Sequence, residues 1–400
     1  MSSSSLPAGA GRAQVPAPAR QASTLILAIA AFVIVTTEFL MVGLLPALAR
    51  DLSISVSTAG QLVTLFAVVV MVFGPPLTAR LAHIERKRLF LAVLALFAVS
   101  NALAAMAPNF YVLALARIVP ALALPVFWGT ASETAAQLAG PERAGRAVAT
   151  VYLGISAAML LGIPLGTIAG DALGWRGAFW ALAILSVLIA VLLQCFMPAL
   201  PGSARVGLAE QARILRDPVF VSHVLLSVAV FTAMFTGYTY LAELLEKQAL
   251  VPAAQVGWWL MGFGAVGLLG NWLGGIWVDR KPLAATAVFS ALLALGMLAT
   301  VMFAQHLLGL VVALGVWGIA NTALYPICQI RVMKSAPQAQ ALAGTINVSA
   351  ANGGIALGAV LGGASISWWG VASVGVAGAA VAVIAAVAAL VMARLLAARR

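Results

Sequence analysis

Charge is what this 400-residue sequence has least of. Asp, Glu, Lys and Arg make up 8% of it, against roughly a quarter in an ordinary soluble domain, which excludes a water-soluble fold. Cysteine is nearly missing: Cys195 and Cys328 lie far apart, which excludes a disulfide framework and offers no metal-ligand spacing. The three histidines, His83, His223 and His306, fall at loops or near a helix end. With no nucleophile–base arrangement inside the apolar runs and no phosphate-binding Gly loop, an intramembrane enzyme is set aside. No appended nucleotide-binding domain or signalling domain is seen, which sets aside an ATP-driven pump and leaves little for a sensor to signal through. Acids are scarcer than bases, 11 against 22, for a net charge of +11. The bases punctuate apolar segments and form no long stripe, so nucleic acid is not the implied partner.

What is present is apolar: 63% of the residues, with a mean hydropathy of +1.08. Long runs of this kind read as membrane-spanning helices of about 20 residues each. Breaks at charged or Pro/Gly/Asn-rich stretches predict twelve spans, at 23–47, 57–79, 88–106, 110–131, 145–169 and 177–196, then 218–243, 254–278, 283–304, 307–329, 341–366 and 371–393. The Ser/Pro/Ala/Gly-rich start (1–22) reads as a disordered cytoplasmic tail without a signal-peptide core. The polar stretch 198–217 reads as a cytoplasmic linker between two six-helix units (23–197 and 218–394), with 395–400 as a second tail. Placing the N-terminus inside puts 18 of the 22 Lys and Arg in inner segments, 3 in outer ones and Arg117 alone within a span. That asymmetry predicts cytoplasmic termini and supports an even number of spans.

The two units resemble each other. GIPLG at 162–166 matches GAVLG at 358–362, and GNWLGGIWVDR, ending at Arg280, takes the place in its half of GPPLTARLAHIERKR in the first. The reading is therefore an all-α integral membrane protein, twelve transmembrane helices in two pseudo-symmetric six-helix halves around a central cavity, with a substrate site between the halves.

One acid does not fit the pattern of acids at loops and helix ends. Glu38, in VTTEFLMVG, lies about 22 Å along the first span, and Arg117 about 10 Å into the fourth, at a rise of about 1.5 Å per residue. Running in opposite directions, the two reach similar depth in the outer half of the membrane. Intramembrane ionisable residues are rare and usually functional. An acid whose surroundings alternate between buried and cation-facing can load and release a proton; the alternative is a fixed Glu38–Arg117 ion pair that holds helices together.

These segments resemble the major facilitator superfamily, and within it the twelve-span drug:proton antiporters nearest the sugar-efflux and chloramphenicol-resistance-like branch. TTEFLMVGLLPALARDL, with Glu38, is similar to that branch's opening. RIVPALALPVFWG (117–129) resembles the span-four motif whose buried Arg is associated with proton coupling. GISAAMLLGIPLGTIAGDALGWRGAF (154–179) is similar to the antiporter motif of span five. Gly154, Gly162, Gly166 and Gly170 form a stripe on one helix face that lets another helix come close, and Pro164 removes a backbone donor and bends the helix. The cytoplasmic loop motif of the family, Gly-x-x-x-Asp-Arg-x-Gly-Arg-Arg, is altered in the first half: Arg86, Lys87 and Arg88 remain, but Ala82 stands where the Asp would be and Glu85 replaces a Gly. The second half keeps Gly275, Asp279 and Arg280. The resemblance implies secondary transport, with protons as the coupling ion and no other cofactor, by a monomer in the cell's inner membrane, exporting a drug, sugar or related small molecule, with proton-coupled uptake as the alternative direction. Thr36, Thr37, Trp128, Tyr238, Tyr240, Asn321, Tyr325, Asn347 and Asn352 are the candidates for lining the cavity.

Overall fold

A computed structural model describes residues 17–139, 144–202 and 214–398, and these are helical almost throughout. The helices are α1 (Ala17–Asp51), α2 (Val56–Leu81), α3 (Arg86–Ala105), α4 (Phe110–Ala139), α5 (Ala144–Ala157), α6 (Ile163–Phe196), α7 (Pro218–Tyr238), α8 (Leu241–Lys247), α9 (Ala253–Arg280), α10 (Pro282–Met302), α11 (Leu307–Ser335), α12 (Gln340–Trp369) and α13 (Ser373–Ala398). The tail expected over 1–22 and most of the expected linker lie outside the described residues, although α1 already begins at Ala17.

Among the described residues, eleven helical segments are long and apolar enough to cross a membrane, not twelve. The shortfall has one source. The fifth segment, Leu153–Phe196, counts as one run of 44 residues, ~66 Å at 1.5 Å per residue and about twice the ~30 Å hydrocarbon core. Its continuity is interrupted at Gly174, whose φ of 75° and ψ of 156° are not helical. Only glycine reaches such a conformation without steric cost. The chain is helical on both sides of Gly174, so the two apolar stretches run together.

The helix pairs repeat. In the first half α1 packs on α5 and α6, α2 on α4, and α3 on both α4 and α6; in the second, α7 packs on α12 and α13, α9 on α11, and α10 on both α11 and α13. Within a half the pairs are those of an inverted repeat, α2 against α4 answering α5 against α1. Across the halves the contacts are reciprocal as well: α2 meets α12, and α6 meets α9. Large apolar side chains such as Leu115, Val99, Leu188 and Leu295 point outward, as expected of a surface that faces lipid.

We call the end carrying Arg50 and Glu246 the far end, and the end carrying Glu133 and Arg331 the near end. The halves meet at the far end. Arg50 Nη1 and Glu246 Oε2 pair across the halves at 2.6 Å. Beside them Leu45, Ala49 and Ala59 cluster with Tyr240, Leu244 and Val374. Tyr240 donates to the carbonyl of Ala359 at 2.8 Å, and its ring leaves no room for a Cβ at Gly60 or Gly362. At the same end, Asp51 accepts from Trp175 Nε1 at 2.9 Å and pairs with Arg176, whose Nη2 reaches the carbonyl of Ala107. The Gly-Trp-Arg turn is thus fastened to the end of α1.

Candidate functional site

Arg117 is buried at 1% exposure and reaches from α4 to α1. Its Nη1 donates to the carbonyl of Thr37 at 2.7 Å and its Nη2 to the carbonyl of Glu38 at 3.0 Å. The guanidinium also lies over the Phe66 ring, 4.6 Å from its centroid, a cation–π contact that partly compensates for lost water. Thr37 is held in turn: its hydroxyl donates to Val33 at 2.9 Å and receives Asn101 Nδ2 at 3.2 Å. The fixed Glu38–Arg117 ion pair, the alternative reading of the sequence, is therefore not among the ion pairs that form. Arg117 sits beside Glu38, and the two interact electrostatically, but its hydrogen bonds go to main chain, and Glu38 joins none of the ion pairs found among the described residues.

The Glu38 side chain instead lines a cavity of about 10 Å³ with Phe39, Val42, Val63, Phe66, Ala67 and Ile355. That is barely the space of one water. Ile355 comes from α12, so the cavity lies between the halves. From Phe39, the next residue on α1, a run of rings crosses into the second half: Phe39 to Phe235 at 5.8 Å between centroids, Phe235 to Tyr238 at 5.6 Å, Tyr238 to Phe263 at 5.6 Å and Phe263 to Trp317 at 5.8 Å. Tyr325 packs on Phe231 at 5.2 Å, interacts electrostatically with Glu38, and leaves its hydroxyl without a hydrogen bond.

The other predicted lining residues are dispersed. Thr36 and Thr37 donate to their own helix, at Phe32 and Val33. Trp128 packs edge-on against Phe127 at 5.4 Å, and Tyr240 belongs to the far-end contact between the halves. Asn321 is buried with its side-chain oxygen unbonded. Asn347 donates to Gln329 at 2.7 Å, and Asn352 to Val348 at 3.0 Å.

The glycine stripe packs on the helix that carries Glu38. A Cβ at Gly154 would strike the carbonyl of Ala28, and Cβ atoms at Gly162, Gly166 and Gly170 would strike Thr36, Leu40 and Leu44. Each partner lies 126 residues earlier, so the two helices run in one register. The second half repeats it: Gly354, Gly358 and Gly362 press on the carbonyls of Val228, Thr232 and Thr236, again 126 residues apart. Ahead of Pro164, residues Ala158–Gly162 widen into a π turn, closed by Ile163 N–H to Ala158 O, which absorbs the donor that proline lacks. The other face of this segment meets α9, where Gly257 lies over Ile168 and Pro164, and Gly264 over Met159 and Leu160.

The gating motif divides. Arg86 is fully buried, and its Nη2 pairs with Glu133 Oε2 at 2.7 Å, while its N–H bonds Leu200 O at 2.9 Å. Arg88 pairs with Glu85 at 3.0 Å on the surface, and Lys87 lies beside them at the start of α3. A Cβ at Gly275 would meet open space. The side chains of Asp279 and Arg280 lie outside the described residues. Arg331, read from the sequence as an inner-loop residue, is buried inside α11. Phe66, Asn101 and Gln329 had no sequence signal as site residues, since each matters only through a partner on another helix. No group of three or more His, Cys, Asp or Glu among the described residues is placed to hold a metal.

Two pseudo-equivalent helical halves that meet around a central acid are the architecture of a secondary transporter. The chain belongs to the Major Facilitator Superfamily, whose profile matches residues 27–345. It is 37% identical over 343 residues to the "Inner membrane transport protein YdhP" of Escherichia coli K12, covering 86% of this chain and 88% of that one. It is 32% identical over 337 residues to a "Probable sugar efflux transporter" of Helicobacter pylori G27, covering 84% and 86%. Among solved structures it superimposes on a bacterial homologue of the human lysosomal transporter Spinster, inward-facing and unoccupied, with a TM-score of 0.83 at 15% identity, covering 95% and 98%. A D-xylose–proton symporter gives 0.73 at 19% identity, covering 92% and 96%. The protein is a multi-pass membrane transporter of small molecules, and not an enzyme.

Proposed function

We propose that this transporter exports a small molecule, a drug, sugar or related metabolite, across the inner membrane in exchange for protons. Glu38 carries the proton. The observation behind this is that Glu38 is an acid inside a membrane-spanning helix, facing a cavity between the halves, while the adjacent Arg117 is occupied by main-chain carbonyls. The sugar-efflux naming of one relative and the inner-membrane naming of another agree with this reading. In it, Leu153–Phe196 crosses the membrane twice around Gly174, giving twelve crossings, with both termini and the near end cytoplasmic. Residues 23–197 and 218–394 then rock as two bodies of a working monomer. A cavity the size of one water cannot hold a solute, so the halves must part for transport. Gly154, Gly162, Pro164, Gly166 and Gly170 hold α5–α6 on α1, and Lys87 and Arg88, with Gly275, Asp279 and Arg280, belong to the near-end gate.

The test is Glu38→Gln in proteoliposomes, after a screen of sugars, nucleosides and amphenicols on inverted vesicles has identified a transported solute. The variant should fold and still exchange labelled for unlabelled solute, yet fail to accumulate it against a proton gradient. Undiminished gradient-driven transport would refute the assignment, and solute entering with the proton rather than against it would reverse the direction.

A further inference from the structure

Among the described residues, three arginines are buried almost completely: Arg86, Arg117 and Arg331. The first has a carboxylate, at Glu133. The second has two carbonyls and an aromatic ring. Arg331 has none of these. On α11, at 1% exposure, its Nη2 donates to the hydroxyl of Ser227 on α7 at 2.8 Å, and the Cys328 sulfur lies within hydrogen-bonding reach of both. Its Nε and Nη1 donate to nothing.

Among the described residues no carboxylate pairs with Arg331. The titratable neighbour on α7 is His223, one turn from Ser227, itself buried and with Nδ1 unbonded. Asp217, at the start of α7, interacts with His223 and caps its own helix through Val219 N–H at 2.8 Å. On α11 the next charged group is a second cation, Lys334, which reaches the carbonyl of Val278 on α9. Phe220, Val332 and Ala343 pack together beside the cluster, and the guanidinium does not reach water. A buried charge without a counter-charge is among the most costly features a fold can contain, and within a membrane it marks function by default.

We propose that the α7–α11 seam is an anion site, in which Arg331, Ser227 and His223 bind a compact monovalent anion of halide or carboxylate size. The hydroxyl and the free guanidinium nitrogens supply donors suited to either. Two sources share this chemistry: free chloride, acting as a resident counter-ion, and the carboxylate of a transported solute. Tyr325 lies six residues before Arg331 on the same helix, about 9 Å along the axis. Tyr325, which interacts electrostatically with Glu38, connects the two regions along one helix. The site does not depend on Glu38 being the proton carrier, and the two assignments fail separately.

The experiment is thermal unfolding of the purified full-length protein in detergent, followed by intrinsic fluorescence. Ionic strength is held constant while a bulky organic sulfonate is replaced by chloride or by acetate. Either anion should raise the midpoint saturably, by about 2–5 °C. Stabilisation by chloride alone assigns a resident halide, and stabilisation by acetate assigns a carboxylate subsite. In Arg331→Gln the anion-dependent rise should vanish, while the midpoint in sulfonate should equal or exceed that of the wild type, because an uncompensated charge has gone. Arg331→Lys should keep a weakened rise. No anion-specific rise in the wild type, or an equal rise in Arg331→Gln, overturns the proposal. So does a loss of stability in Arg331→Gln that is the same in all three salts, since that is the mark of a purely structural arginine.

Discussion

Arg117 donates to the main-chain carbonyl of Glu38, 3.0 Å away, and leaves that residue's carboxylate to the cavity. The arginine fixes where the acid stands without being hydrogen-bonded to it. Its positive charge is close enough to matter, yet no bond has to break when the acid gains or loses a proton.

This relationship makes Arg117 and lysine unequal. Lysine keeps the charge but cannot make the forked contact to two successive carbonyls. Losing one charge-assisted hydrogen bond is worth about 1.5–3 kcal/mol, so Arg117→Lys should lower transport at least about tenfold while the protein still inserts. Initial rates in proteoliposomes, normalised to folded protein by size-exclusion profile, would measure this. Rates within twofold of the wild type would leave the fork without a role.

The glycine stripe predicts a rescue that depends on position. Gly162→Ala drives its Cβ into the side chain of Thr36, an overpacking of about 1–3 kcal/mol. Thr36→Ala in the same chain should recover most of the lost unfolding midpoint. Gly154→Ala meets the carbonyl of Ala28, which no side-chain change can remove. It should therefore be the more damaging variant and resist rescue.

Gly174 should be sensitive for a different reason. Nothing lies within 4 Å of a Cβ built there, so an added methyl meets open space. Its φ of 75° with ψ of 156° nevertheless lies in a region essentially restricted to glycine and costs an L-residue about 1–3 kcal/mol. Gly174→Ala should lower the midpoint accordingly, and Gly174→Asn should lower it as much, since asparagine is favoured only in the left-handed helical region. An unchanged midpoint in Gly174→Ala would show that backbone conformation is not the cause.

The Arg50–Glu246 pair should matter for state more than for stability. Arg50 is 53% exposed, and exposed pairs contribute about 1 kcal/mol or less. Arg50→Ala should hardly move the unfolding midpoint, yet it should open the far end more often. Spin labels on either side of that contact would report a larger long-distance population. An unchanged distance distribution would mean that the apolar cluster around Tyr240 holds the end closed alone.

Much of this was legible in the sequence because the membrane constrains composition so strongly. Apolar runs locate the helices, and an acid such as Glu38 stands out against them. The Gly154–Gly170 stripe was visible as spacing, but its partner was not: nothing in the sequence says that the matching ridge is Ala28 to Leu44. Arg117 was found, whereas what it grips was not, since main-chain carbonyls have no residue signature. The burial of Arg86 and Arg331 was not legible, for one reason. A base near the end of an apolar run looks the same whether it turns to the interface or inward onto a neighbouring helix. The break between the fifth and sixth spans was legible from Asp171 and Arg176, whereas the positive φ of Gly174 that makes the turn was not.

The shared register of the glycine contacts carries a mechanical consequence. With α1 seated on α5–α6 from Ala28 to Leu44, and α7 seated on α12 in the same register, sliding or twisting either pair would drive its glycine face into the facing helix. Glu38 is therefore a fixed fitting on one jaw of a clamp, and Ile355 and the ring wall are mounted on the other. What the acid faces changes only when the jaws swing, so its protonation is tied to whole-body rotation by rigidity itself, with no moving side chain as intermediary.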